Sequence, residues 1–266
     1  MPPFSQTRLN INKMLFERKW FQNTDANIVQ KLFNLPEACN GFLEDLAIRP
    51  EQIGKWTLSK ISEIFIPFNE RAWNIYIVFE IKNQNDEISH FQYHSWQKGP
   101  SSGVKGIVLI KDKTSGKISH FVLLQGYKFG AGVLTFDCIG GFAEDGEENE
   151  AGMTQRFRTE MKEELGLPTL PPHQIVSLGR FNPDAGISNN RPFLMVAIVS
   201  SEHLPYIETS NLPNPSTFEN VAKIIVPVSE LARFVDNCED SFFHVCITRL
   251  LAKGITLSTS PISTHP

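Results

Sequence analysis

At 266 residues the chain has room for one large domain or two modest ones, and its 41% apolar residues, Phe alone occurring 20 times, supply an ordinary core. A net charge of −4 leaves no electrostatic footprint for nucleic acid, and no apolar run is long enough to span a bilayer. The four cysteines, Cys39, Cys138, Cys238 and Cys246, show no metal-type pairing, so reduced structural thiols are expected.

The opening MPPFSQTRLNINK lacks the apolar h-region of a secretory signal peptide. With the reduced thiols, this makes a cytoplasmic location the expectation, with export by a route that reads no N-terminal signal left open. Residues 1–50 are mixed, with short helical patterns around NIVQKLFNL and GFLEDLAI. From 61 to 96, ISEIFIPF, AWNIYIVFEIK and EISHFQYHSW are rich in β-branched and aromatic residues and separated by FNER and NQND turns. They predict an antiparallel three-stranded meander. KGPSSG (98–103) punctuates the chain and is the preferred domain boundary. An α+β region is thus expected over 1–102, a second domain over 103–252, and a flexible tail over 253–266.

Beyond the boundary, GVKGIVLIKD, KISHFVLLQGY and VLTFDCI predict strands, followed by a helix that carries TEMKEELGL (159–167). HQIVSLGRF and PFLMVAIVSS are further strands. The stretch 202–220 is polar and rich in Pro, Asn and Ser, and reads as a long loop of the kind that forms lids. VAKIIVPV is a last strand, and SELARFVDN and EDSFFHVCITRLLAK are helices. Helices interspersed among strands predict an α/β fold, a mixed sheet covered on both faces.

Glu160, Glu163 and Glu164 fall at i, i+3 and i+4, on one face of a helix that Gly166 should end. Like charges so stacked cost a helix roughly 0.2–0.5 kcal/mol per pair, which a hard divalent cation with oxygen ligands would offset. Upstream, Gly140 and Gly141 follow the strand VLTFDCI, and Glu147 comes six residues after Gly141. Strand, glycine turn, acidic loop and glutamate helix make one metal-cradling unit, whose glycines let backbone approach a phosphate closely. Taken alone, EMKEE is equally the pattern of a solvated helix face.

Gly141, Glu147, Glu160, Met161, Glu163, Glu164, Gly166 and Leu167 resemble, in order, the box of the Nudix hydrolases. Two departures stand out: eleven residues (148–158) replace the usual seven, and Thr159 occupies the arginine position. Four extra residues are about one helical turn, so the glutamate face is preserved, and Arg156, one turn before Glu160, is a candidate for the missing cation. The resemblance implies a Nudix-type α/β/α sandwich with a mixed sheet over about 103–252 and hydrolysis of phosphoric anhydrides with Mg²⁺, Mn²⁺ being a substitute. Glu160 and Glu164 are the expected ligands of the main ion, Glu163 shares a second, and Glu147 completes the shell or orients the helix. Glu163 and Glu164 are also counted as catalytic. The general base is expected from the late loop, Glu219 first and Glu208 second, although Glu219 equally suits the solvated start of the last strand.

Three further segments bear on substrate. GRFNPDAGISNNRPFLMVA (179–197) places Pro183 sixteen residues after Leu167, similar to the segment that marks ADP-ribose and ADP-sugar pyrophosphatases of that family. LLQGYKFGAG resembles the family's Gln-Tyr-Arg segment, with Lys128 as a point charge where arginine would be a fork. The meander resembles the small antiparallel domain those enzymes exchange, which implies a homodimer through the N-terminal region. A small-molecule nucleoside diphosphate derivative is thus the expected partner, with Gln125, Lys128, Asp137, Gly140, Gly141, Arg180 and Pro183 as its contacts. Taken singly, Pro183 is more often a turn former, Lys128 a solvated strand-end charge, and Trp73, Phe91, Tyr93 and Trp96 packing rather than base-stacking platforms. A more diffuse resemblance, in KWTLSKISEIFIPF, SWQKGPSSGVKGIVLI and FVLLQGYKFGAG, is to sugar-nucleotide 2,3-dehydratases. The alternatives are therefore a ligand-sensing module of the same fold with little turnover, or a lyase.

Overall fold

The computed structural model describes residues 5–66, 74–128, 132–171, 174–209 and 221–257, without the side chains of 208, 209 and 221. The chain divides into two compact units, 1–102 with 184–191, and 103–183 with 192–266.

The first unit opens with helices α1 (Gln6–Phe16), α2 (Lys19–Gln22), α3 (Ala26–Phe33) and α4 (Asn40–Ala47). Strands β1 (Gln52–Ile53), β2 (Trp56–Phe65), β3 (Asn74–Asn83) and β4 (Ile88–Trp96) follow. They form an antiparallel four-stranded sheet in chain order, one strand more than expected, because β2 starts earlier, at Trp56, and pairs with the short β1. Strand alternation sends Ile75, Ile77, Phe79 and Ile81 into a core with Trp20, Phe42 and Leu43. Helix α1 was hidden by its polar composition; it buries Arg8, Ile11 and Leu15 on one face, and Ser5 caps its start.

Residues 184–191, expected with the second domain, join the first unit for a polar reason. Asn189 is 1% exposed. Its amide donates to Asp45 Oδ2 at 3.0 Å and Ser95 Oγ at 2.7 Å, while His94 N donates to Ile187 O at 2.7 Å. A buried amide needs such partners, and this one finds them on α4 and β4.

The second unit holds β5 (Val104–Lys111), β6 (Ile118–Lys128), β7 (Val133–Asp137), α5 (Glu150–Leu165), β8 (Ile175–Arg180), β9 (Phe193–Ser200), α6 (Leu204–Thr209), β10 (Val221–Pro227), α7 (Leu231–Asn237) and α8 (Ser241–Ala252). The six-stranded sheet runs β10-β6-β5-β9-β8, with β7 also beside β6. It is mixed, since β5 and β9 are parallel and the other pairs antiparallel.

Alternation along β5 builds a core on each face. Val104, Val108 and Ile110 pack with Met153, Phe157, Met161 and Leu165 of α5. Ile107 and Leu109 pack with Phe243, Cys246 and Leu250 of α8. The protein is thus α/β, with this mixed sheet and a separate antiparallel four-stranded one. Two expectations need correction. Part of the presumed 202–220 loop is α6, whose Ile207 is buried in the α5 core, and the start of the presumed tail is packed, with Ile255 and Leu257 against the α8 core. Among the described residues no helix is long and apolar enough to cross a membrane.

Candidate functional site

The glycine turn lies beside the start of β5. Gly106 N donates to Ile139 O at 2.8 Å and Val104 N to Gly141 O at 3.0 Å. Gly140 has φ +150°, and a Cβ there would sit 2.0 Å from Val104 O, so only glycine fits. A Cβ on Gly141 would sit 2.1 Å from Glu160 Oε1. The bare turn is what lets the glutamate helix come this close.

Helix α5 starts at Asn149, whose side chain accepts from Gly152 N at 3.0 Å, and ends at Gly166 with φ 72°. Met153, Phe157, Met161 and Leu165 repeat every four residues and anchor one stripe in the core. Arg156, Glu160 and Glu164 repeat the same spacing one residue earlier, which brings that row alongside the turn. Glu164 Oε2 accepts from Gly140 N at 3.0 Å. Burial, then the charge of Glu160, push the Glu164 carboxyl up to about 8 against the pull of the Gly140 amide and Lys105. Glu160 is raised too, by burial and then by Glu163, with Arg156 opposing. Glu163, one step round the helix, is exposed.

Arg156 makes the neighbouring contacts. Its Nε lies 2.9 Å from Glu147 Oε2, its Nη2 3.1 Å from Glu144 Oε1 and its Nη1 3.6 Å from Glu160 Oε1. Arg156, the candidate for the missing cation, thus faces three carboxylates, while Thr159 Oγ1 donates to Gln155 O at 3.3 Å. Glu147 is engaged by Arg156 and by Glu144 N at 2.9 Å. Arg156→Gln should cost the second unit about 2 kcal/mol in urea unfolding near pH 8, a fraction of a fully buried pair's worth because Glu144 and Glu147 are partly exposed. The loss should shrink near pH 4, where Glu160, whose carboxyl is raised by burial and by Glu163, holds its proton and no longer pairs with Arg156 as an ion; an equal loss at both pH values would contradict the ion-pair account.

Among the described residues no three His, Cys, Asp or Glu side chains converge closely enough to hold a metal ion. The expected four-glutamate cage is thus not preassembled; Glu160 and Glu164 are the members brought to the turn. This pair still fits Mg²⁺, which typically takes one or two carboxylates and completes its shell with waters and substrate phosphates. Two half-buried carboxylates, each raised by burial and by a neighbouring carboxylate, are the groups a divalent ion would relieve.

The remaining expected residues divide. Asp137 ends β7, where its Oδ2 lies 2.9 Å from Lys105 Nζ and 2.5 Å from Lys128 Nζ. Burial works to raise the Asp137 carboxyl, and the two lysines outweigh it, so the net displacement is downward. Gln125, half-buried on β6, is in register with Phe136 and Ala222. Arg180 ends β8 with its guanidinium 4.4 Å from the Phe193 ring centre. Pro183 is exposed in the turn after β8. Glu208 is on α6, its side chain outside the described residues, and Glu219 lies outside them altogether. Lys105 and Glu144 were not anticipated. For Lys105 a signal existed: a lone cation inside the apolar run VKGIVLI. A cleft of about 430 Å³ lined by Lys111, Lys117, Ile118, Ile198 and Ile255 shares no residue with the glutamate turn. It offers no carboxylate, so the chemistry points to the turn rather than the cleft.

No family model matches the chain, and no curated protein matches its sequence. Among solved structures 105 chains resemble it. One is described as "Crystal structure of ADP compounds hydrolase"; the alignment covers 78% of this chain and 100% of that one, at a TM-score of 0.46 and 15% identity. A likeness of that degree carries no argument, and the functional reading rests on the side chains.

Proposed function

We propose that the protein is a Nudix-type hydrolase that cleaves the phosphoric anhydride of a nucleoside diphosphate derivative, ADP-ribose or another nucleoside diphosphate sugar, with Mg²⁺ or Mn²⁺ held by Glu160 and Glu164. The observation that carries this reading is the pair itself: two half-buried carboxylates, each raised by burial and by a neighbouring carboxylate, set on a bare glycine turn. When bound, the ion would neutralise phosphate charge and make a nearby water easier to deprotonate. Gly140 and Gly141 are carried as phosphate contacts, the Gly140 amide being held by Glu164 in this structure, and Lys128 adds a point charge at the end of β6. Glu163, exposed beside the pair, is carried as the residue that shares a second ion. Gln125, Arg180 and Pro183 are carried as substrate contacts. Glu219, with Glu208 second, is carried as the base that takes the water's proton as the P–O bond to the leaving phosphate breaks. The products are a nucleoside monophosphate and a sugar phosphate.

A second reading is favoured by Arg156. With Glu147 already paired and Glu160 facing a guanidinium at 3.6 Å, the same fold would serve as a ligand sensor with little turnover. One panel separates the two: ADP-ribose, UDP-sugars, NADH, diadenosine polyphosphates and nucleoside triphosphates, each with and without Mg²⁺. Mg²⁺-dependent release of a monophosphate is the expected result. Ligand-dependent thermal stabilisation without products would replace the hydrolase with the sensor, and a keto-sugar product would replace both with a lyase.

A further inference from the structure

We infer that Lys105 is a positioning residue for the glutamate pair: it holds the entrance of the Asp137–Gly141 turn so that Gly140 and Gly141 stay aligned on Glu164 and Glu160. The inference rests on the reading of that pair as the ion-holding groups. Lys105 is the one charged residue within the buried run of β5, between Val104 and Gly106, whose amides fix Gly141 and Ile139. Its ammonium reaches both oxygens of Asp137, at 3.0 and 2.9 Å, and Cys138 O at 3.4 Å. Two consecutive residues at the mouth of the turn are therefore held by one side chain. From the other side Glu164 Oε2 holds Gly140 N at 3.0 Å. The turn is gripped between Lys105 and Glu164, while backbone bonds hold Ile139 and Gly141 to β5 and Asp137 is paired with Leu124 of β6.

An ammonium in a buried strand is costly unless paired and hydrogen-bonded. Here the pairing is with a carboxylate that also faces Lys128, at the far end of β6. Without Lys105, Asp137 keeps Lys128 as its cation and is drawn towards that strand end. The peptide between Cys138 and Gly140 then loses its fixed orientation, and the Gly140 amide no longer points steadily at Glu164. Lys105 acts here through the turn, without touching the reacting atoms.

The test uses the full chain labelled uniformly with ¹⁵N, as wild type, Lys105→Met and Lys105→Arg, with three readouts: amide exchange at Gly140 and along β8 and β9, Mn²⁺ binding, and melting of the second unit. In Lys105→Met, Gly140 should exchange at least about tenfold faster while amides of β8 and β9 change little. Mn²⁺ affinity should fall about tenfold, the usual scale for a residue that orients a ligand. Lys105→Arg, which keeps the cation, should restore both. Exchange at Gly140 that rises no more than in β8 and β9 overturns the inference, since a merely structural lysine loosens the unit evenly. If Lys105→Met does not fold, Lys105→Gln keeps a polar end beside Asp137 and is read the same way. A wild type that binds no Mn²⁺ removes the metal reading, and Gly140 exchange alone then decides the role of Lys105.

Discussion

Glu164→Gln should abolish Mg²⁺-dependent hydrolysis and, without metal, make the second unit melt higher than wild type at alkaline pH. An ion at a phosphoryl centre supplies several kcal/mol of charge stabilisation, so loss of a ligand should lower kcat/KM about a thousandfold. The stability effect has the opposite sign. The carboxyl would ionise near 4.5 in the unfolded chain and holds its proton to about 8 in the fold. Between those values the folded state binds the extra proton, so raising the pH drains stability, by up to roughly 5 kcal/mol once both states are ionised. Glutamine removes that loss. Calorimetry should therefore show the two proteins melting together near pH 4 and the variant higher at pH 9. Mg²⁺ should raise the wild type at pH 9 and leave the variant unmoved. A variant that melts lower throughout, or that keeps full activity, would remove Glu164 from the site.

The two glycines of the turn should fail in different ways when changed to alanine. At Gly140 the added Cβ meets the Val104 carbonyl at 2.0 Å with φ at +150°, and both obstacles are backbone. Strand β5 and the turn must part, and Gly140→Ala should cost about 3 kcal/mol or more. At Gly141 the Cβ meets Glu160 Oε1 at 2.1 Å, the far end of a side chain that can swing aside. Gly141→Ala should stay within about 1 kcal/mol of wild type, yet weaken Mg²⁺ binding at least about tenfold because Glu160 has left. Urea unfolding and metal titration on both variants check this. Equal destabilisation by the two would mean that Glu160 is not free to move.

How far the site was legible follows from the range of each interaction. Glu160 and Glu164 share a helix face by spacing alone, and Gly166 marks the helix end by its own backbone preference, so both were readable. Arg156 was readable as a candidate because it lies one turn away, but its grip on Glu147 was not. That contact crosses the acidic loop, and four extra residues there leave the loop path free. Lys105 shows in the sequence only as a lone cation in the apolar run of β5; the carboxylate that neutralises it, Asp137, lies on another strand more than thirty residues away. The excursion of 184–191 was invisible for a similar reason: Asn189 reveals its place only through Asp45 and Ser95, more than ninety residues away. The β1–β2 pairing and helix α1 were missed where polar residues mask a short or one-sided apolar pattern. Local periodicity carried the sheets and long helices; long-range polar pairing carried what was missed.

The most direct test is calorimetric titration of Mg²⁺ into the full chain near neutral pH, wild type against Glu160→Gln/Glu164→Gln. The account predicts saturable binding with proton release in the wild type, since the ion displaces a proton held by the pair, and no binding in the double variant. Identical isotherms for the two proteins, or no binding by the folded wild type, would contradict it.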